Sequence, residues 1–133
     1  MRIVILGCGR LGSKLAKNFS EEGHELTIID RDDSAFKRLG SGFKGSLIHG
    51  NIFAEDILQR GLKKGADLFI AVTDKDNMNI MLAQLVKRRF NINLTMARIF
   101  DSTLAGVYRE LGIETICPTD LALDWIRKKV EEG

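Results

Sequence analysis

The residues most able to do chemistry stand near the start of the chain. Gly7-Cys8-Gly9-Arg10-Leu11-Gly12 spells G-x-G-x-x-G. The string follows an apolar run and opens an amphipathic stretch, the setting in which it binds a nucleotide pyrophosphate. Gly7 permits the tight turn, Gly9 lets phosphates approach the backbone, and Gly12 lets helix and strand pack closely. The helix start offers unpaired N–H groups and the positive end of its dipole. Asp30 lies 18 residues beyond Gly12, at the end of the second apolar run, where a carboxylate can accept both ribose hydroxyls of an adenosine. It favours NAD or an adenine nucleotide over NADP, although Arg31 beside it is able to accommodate a 2′-phosphate. Arg10 is a cation at a helix start, unfavourable without an anion there. It either contacts a phosphate or lies over the surface.

Further candidates sit where later strands must end, the side on which open α/β sheets bind ligands. Asn51 and His49 are placed to touch an adenine edge, with His49 alternatively satisfied by backbone. Thr73 and Asp74 either contact nucleotide or cap the helix that follows. Arg98 is a charge in an apolar run and needs a partner: a phosphate, Asp74 or Asp101. Cys8 is either a redox thiol activated by the helix start or a small loop side chain. Expected absences complete the picture. Tyr108 is followed by Gly112 rather than by a lysine four residues on. No P-loop, G-x-S-x-G elbow or zinc spacing occurs. The absence of catalytic machinery points to a sensor rather than an enzyme.

The elements that must position these residues alternate. Strands are expected at Arg2–Gly7, Glu25–Asp30, Ser46–Gly50, Asp67–Val72, Asn93–Ile99 and Thr115–Cys117. Helices are expected at Leu11–Glu22, Asp33–Leu39, Ala54–Arg60, Asn77–Phe90, from Asp101 or Ser102 to Gly112, and from Pro118 onward. Met78, Met81, Leu82, Leu85 and Val86 should form the inward face of the long central helix. Leu104, Val107, Tyr108 and Leu111 should do so for the next. Leu121, Ala122, Trp125, Ile126 and Val130 line one side of the last helix. Strands joined by such helices imply right-handed parallel crossovers, hence an α/β, Rossmann-like, doubly wound sheet of six parallel strands ordered 3-2-1-4-5-6. The chain has 133 residues, 44% hydrophobic and 29% charged, with formal net charge +2. That suits one globular domain and is too balanced to argue for nucleic acid. No run is long enough to span a bilayer, no signal peptide is expected, and two unrelated cysteines fit a reduced, cytoplasmic setting.

The constellation resembles the KTN (RCK N-terminal, TrkA-N type) domain of Trk/Ktr potassium-uptake regulatory proteins. The resemblance rests on Ile3 to Gly12, on Ile28-Ile29-Asp30, and on the Gly50-Asn51 turn. It continues through Ala71-Val72-Thr73-Asp74-Lys75-Asp76 with Asn79, through Ala97-Arg98-Ile99, and through Leu111-Gly112 leading to Cys117-Pro118. It implies residues 1–118 as a nucleotide-binding domain and residues 119–133 as a crossover helix making a dimer contact around Trp125. The usual regulator's C-terminal RCK domain is not expected within this sequence, which is then a one-domain version, a fragment, or one partner of a split pair with that domain on a separate chain. The implied ligand is NAD(H) or ATP, ADP or AMP. The implied contacts are Gly7, Cys8, Gly9, Arg10, Leu11 and Gly12 on phosphates, Asp30 and Arg31 at the ribose, and Gly50, Asn51, Ile52, Thr73, Asp74 and Arg98 around the remainder. Asn79 would support the site or the dimer. Where the family's turn reads Gly-Asp, this chain has Asn51. The implied partners are further copies of the chain, as a dimer, tetramer or octamer ring, and a membrane potassium channel or transporter subunit. That subunit, gated by ligand-dependent assembly, would hold the protein at the inner face of the membrane. A small NAD-dependent oxidoreductase, or a redox sensor acting on a non-membrane partner, is the other reading.

Overall fold

The computed structural model describes residues 1–54 and 56–133. Its strands are β1 (Arg2–Leu6), β2 (Glu25–Asp30), β3 (Ser46–His49), β4 (Leu68–Ala71), β5 (Leu94–Arg98) and β6 (Glu114–Ile116). Every pairing is parallel, and the sheet runs β3-β2-β1-β4-β5-β6. The expected architecture and strand order are therefore both observed. The helices are α1 (Arg10–Glu21), α2 (Ile57–Leu62), α3 (Asp76–Arg89), α4 (Ser102–Glu110) and α5 (Pro118–Glu132), with a 3-10 helix at Asp33–Leu39.

The sheet is covered on both faces, which is why its strands read as unbroken apolar runs. Side chains alternate between the faces. Val4 and Leu6 join Ile29, Phe69, Leu82 and Val86 in one core, while Ile3 and Ile5 join Ile28, Ile70 and Ala16 in the other. The order brings the ends of β1 and β4 side by side although their connections leave in opposite directions, opening a crevice at their carboxyl ends.

Three expectations need correction. The helix expected from Ala54 begins at Ile57, and Glu55, within the expected span, lies outside the described residues. On α3, Met81 is 46% exposed, whereas Asn79, Ile80 and Ala83 are buried. The helix is gripped from two directions, by the sheet core through Leu82 and Val86 and by a second cluster with Ile99 and Ala105 through Ile80. Its buried arc is thus wider than one stripe and rotated from it. On α4, Val107 and Leu111 are exposed, whereas Leu104 and Tyr108 pack inward as expected around the buried Ala105. This helix rests beside the three-residue β6 at the sheet edge, where little surface exists to cover a full apolar face. Helix α5 starts with Pro118 in its first turn, as expected, but buries none of its residues.

Candidate functional site

The glycine loop is built by close backbone contact. Gly7 has φ +108°, a region that L side chains rarely adopt, and a Cβ there would stand 2.8 Å from the Val72 carbonyl oxygen. A Cβ at Gly12 would collide with the Gly7 carbonyl, so this glycine seats α1 against the loop. Gly9 differs from both: a Cβ there meets nothing within 4 Å. The space above it is open to a ligand.

Gly9 is also the N-cap of α1 and carries no side-chain cap. The first intrahelical bond runs from Ser13 N–H to the Gly9 carbonyl at 3.0 Å. The N–H groups of Arg10, Leu11 and Gly12 therefore precede the ladder and have no partner among the described residues. The first turn contains no acid. Arg10, exposed within it, places a cation at the positive end of the dipole. This combination of free N–H groups, dipole and cation suits an anion.

Asp30 forms the other wall. Its Oδ2 accepts the Cys8 N–H at 2.7 Å and its Oδ1 accepts the Asp32 N–H at 2.8 Å. Both oxygens are thereby fixed in orientation, and each keeps a lone pair for a hydroxyl donor. The opposite side of the Cys8 peptide is held as well, its carbonyl accepting from Arg38 Nη1 at 3.4 Å. Asp32 caps the 3-10 helix by accepting from both the N–H and the hydroxyl of Ser34, which holds its carboxyl below the usual range. Arg31 is exposed, and His49 Nε2 lies 3.1 Å from its carbonyl. Of the two readings of His49, the backbone-satisfied one is observed.

At the end of β3, the Gly50 N–H donates to the Asp30 carbonyl at 3.1 Å. Asn51 is exposed, but its Oδ1 accepts the Phe53 N–H at 2.9 Å, so this oxygen shapes the turn. Ile52 is packed into the core, which leaves only its backbone for a ligand. Cys8 is fully buried with its Sγ 3.4 Å from the Ala35 carbonyl. Burial pushes its thiol pKa upward, and the Asp30 carboxylate adds to that. A redox thiol needs the opposite shift, so Cys8 is the small side chain that fills the loop.

Beyond β4 the polar residues bind one another. Fully buried Asn79 accepts at Oδ1 from the Thr73 N–H at 2.9 Å and from Thr73 Oγ1 at 2.6 Å. Its Nδ2 donates to the carbonyls of Thr73 at 3.0 Å and Arg98 at 2.8 Å. It ties the end of β4 to the end of β5 and supports the crevice floor from below. Arg98 was expected to meet a phosphate, Asp74 or Asp101. Neither aspartate pairs with it: its Nη2 donates to the carbonyls of Val72 at 3.1 Å and Thr73 at 3.0 Å, and it forms no ion pair among the described residues. Burial lowers its pKa, against the pull of Asp76 and Asp74. Neither Thr73 nor Asp74 caps α3, whose N-cap is Lys75. Asp74 is exposed beside the crevice.

Sequence reasoning missed Arg38, Asp76 and Phe100. Asp76 accepts from the N–H groups of Phe100 at 2.9 Å and Asp101 at 3.1 Å, which fixes the turn after β5. An acid in the first turn of a helix was the available signal, but it reads equally as a dipole partner. A cavity of about 330 Å³, lined in part by Arg2, Glu25, Thr27 and Leu47, lies at the opposite, amino ends of the strands, where open α/β sheets do not bind their ligands. No cluster of three or more metal-ligating side chains occurs among the described residues.

The model of the TrkA-N domain matches residues 3–118 of this chain. A Trk system potassium uptake protein TrkA of Streptomyces coelicolor is 39% identical over 130 residues, covering 98% of this chain, which in turn spans 58% of that relative. Among solved structures, the TrkA-N domain of the inner membrane protein ybaL of Escherichia coli superposes with TM-score 0.81 at 16% identity, covering 96% of this chain and 94% of that one. The Kef CTD of Shewanella denitrificans in AMP-bound form superposes with TM-score 0.75 at 22% identity, covering 100% of this chain and 82% of that one. At these identities the two structures bear on the fold.

Proposed function

The chain belongs to the TrkA-N domain family, and on that premise we propose that it is a nucleotide-binding regulatory domain of a potassium-uptake system, not an enzyme. The observation that carries this reading is the free N–H triad at Arg10, Leu11 and Gly12, set beside an Asp30 carboxylate already oriented by Cys8 and Asp32. The pyrophosphate of NAD(H), or the phosphates of ATP, ADP or AMP, rest over Gly9 on this triad with Arg10 adding charge. Asp30 accepts the ribose hydroxyls. The backbone of Gly50 to Ile52 borders the adenine, while Thr73, Asp74 and Arg98 form the far wall on the mount that Asn79 provides. Gly7, Cys8 and Gly12 shape the loop.

Ligand exchange alters how copies of the chain assemble through α5, and the assembly gates a membrane potassium channel or transporter subunit from its cytoplasmic side. The name of the Streptomyces coelicolor relative and the AMP held by the Kef neighbour support this reading. No helix among the described residues is long and apolar enough to cross a membrane.

The test is thermal stabilisation by NAD, NADH, ATP, ADP and AMP. A ligand at about 100 times its dissociation constant adds ~2.7 kcal/mol of stability. Gly9→Val, whose side chain enters open space in the free protein, should keep the fold and lose the stabilisation. No shift with any nucleotide would overturn the reading.

A further inference from the structure

Three contacts link the glycine loop to the residues that follow β5. Gly7 lies directly against the Val72 carbonyl at the end of β4. That carbonyl accepts from Arg98 Nη2 at 3.1 Å. The Arg98 guanidinium carbon in turn lies 4.6 Å from the centroid of the Phe100 ring. Phe100 is 48% exposed, although its ring has no polar tip to satisfy in water. Its backbone N–H is held by Asp76 at 2.9 Å. Arg98 covers one face of it. Arg98 Nε is buried without a partner, a cost that an arrangement serving only the fold could have avoided.

The sheet order places the end of β5 two strand spacings from β1, about 10 Å, and three from β2, about 15 Å. With adenosine on Asp30 and phosphates on the glycine loop, a mononucleotide ends before Phe100. The part of a dinucleotide beyond its pyrophosphate extends toward it. The inference rests on reading the crevice as a nucleotide site. On that basis we propose that Phe100 is a specificity-determining residue: its ring stacks on the pyridine ring of a nicotinamide dinucleotide and lets the crevice distinguish dinucleotide from mononucleotide. Arg98 positions it, joining the ring to the carbonyls that abut the loop.

Calorimetric titration of the 133-residue chain with NAD, NADH, ADP-ribose and AMP separates the possibilities. Phe100→Ala should weaken NAD and NADH about tenfold, the scale of one ring stacked on an aromatic side chain. ADP-ribose, which carries a hydroxyl in place of the nicotinamide, and AMP should bind as before. Phe100→Tyr should restore the dinucleotides. Unchanged NAD affinity in Phe100→Ala, with AMP still bound, overturns this proposal alone, as does an equal loss for all four ligands. A drop in sedimenting mass without any change in affinity overturns it too, assigning the ring to contacts between copies. Failure of the unaltered chain to bind any of the four overturns the nucleotide reading and this proposal with it.

Discussion

The glycine loop and helix α5 both present groups that the described chain leaves unmatched, yet the two are unmatched in different ways. At the loop the missing partners are polar. Three N–H groups and a cation face open space above Gly9, while packing on the other side is so close that a Cβ at Gly12 has no room. At α5 the missing partner is apolar. Leu121, Leu123, Trp125, Ile126 and Val130 are each at least half exposed, and the helix buries nothing. A small anion completes the first surface. Only another surface of comparable size completes the second. The loop is also fused to the fold, since the same glycines seat α1 against β1 and β4. Helix α5 is held chiefly at its start, where Ser102 Oγ donates to Asp120 Oδ1 and Leu121 N–H donates to the Cys117 carbonyl. The lesson is that the glycine loop is part of the core's rigidity, whereas the apolar face of α5 is an appendage to it.

Substitutions should expose that difference, and the largest effect belongs to Gly12→Ala. The added methyl meets backbone, which cannot swing aside, so destabilisation should reach at least ~3 kcal/mol or prevent folding. A melting temperature within a degree or two of the unaltered chain would break the claim that loop and core are one structure. Asp30→Ala should act more moderately and in both respects. It strips the Cys8 and Asp32 N–H groups of their acceptor, costing ~1–3 kcal/mol of stability, and removes the ribose contact, costing about 1.5–3 kcal/mol of nucleotide affinity. Chemical denaturation and calorimetry read the two separately. Lost stability with unchanged affinity would confine Asp30 to holding the loop.

How much of this was legible in the sequence follows the same division. The sheet order, the glycine loop and Asp30 could be read because they depend on local signals: apolar runs of strand length, glycines at fixed spacing, and an acid at a strand end. The misreadings came where neighbours distant in sequence decide the outcome. On α3, Met81 was wrongly counted inward and Ile80 was left out, because Ile80 packs on Ile99 and Ala105 from outside the sheet core. Arg98 was given Asp74 or Asp101 as its protein partner, whereas the carbonyls of Val72 and Thr73, brought alongside by the pairing of β4 with β5, receive its Nη2. Asn79 was expected to support the site or the dimer, and the hydrogen bonds by which this fully buried side chain knots two strand ends together appear only once β4 and β5 are paired. The apolar side of α5 was visible in its spacing, but a stripe looks the same whether it faces its own core or another molecule.

The smallest effect on the fold, and for that reason the sharpest test of the comparison, belongs to Trp125→Ala. Trp125 is 63% exposed, and the Lys129 amine of the same helix lies 5.5 Å from its ring centroid. Removing the ring takes little from the monomer, so unfolding free energy at low protein concentration should stay within about 0.5 kcal/mol of the unaltered value. Self-association should behave otherwise, because a large aromatic at the centre of an apolar patch is the kind of anchor whose truncation costs ~2 kcal/mol or more. Sedimentation across a concentration series therefore ought to show a shift of at least about 30-fold toward the smaller species, while nucleotide affinity at the glycine loop is untouched. If Trp125→Ala instead destabilises the dilute chain as Asp30→Ala does, α5 belongs to the core after all. If mass and stability both stay unchanged, the helix face meets something other than a second copy.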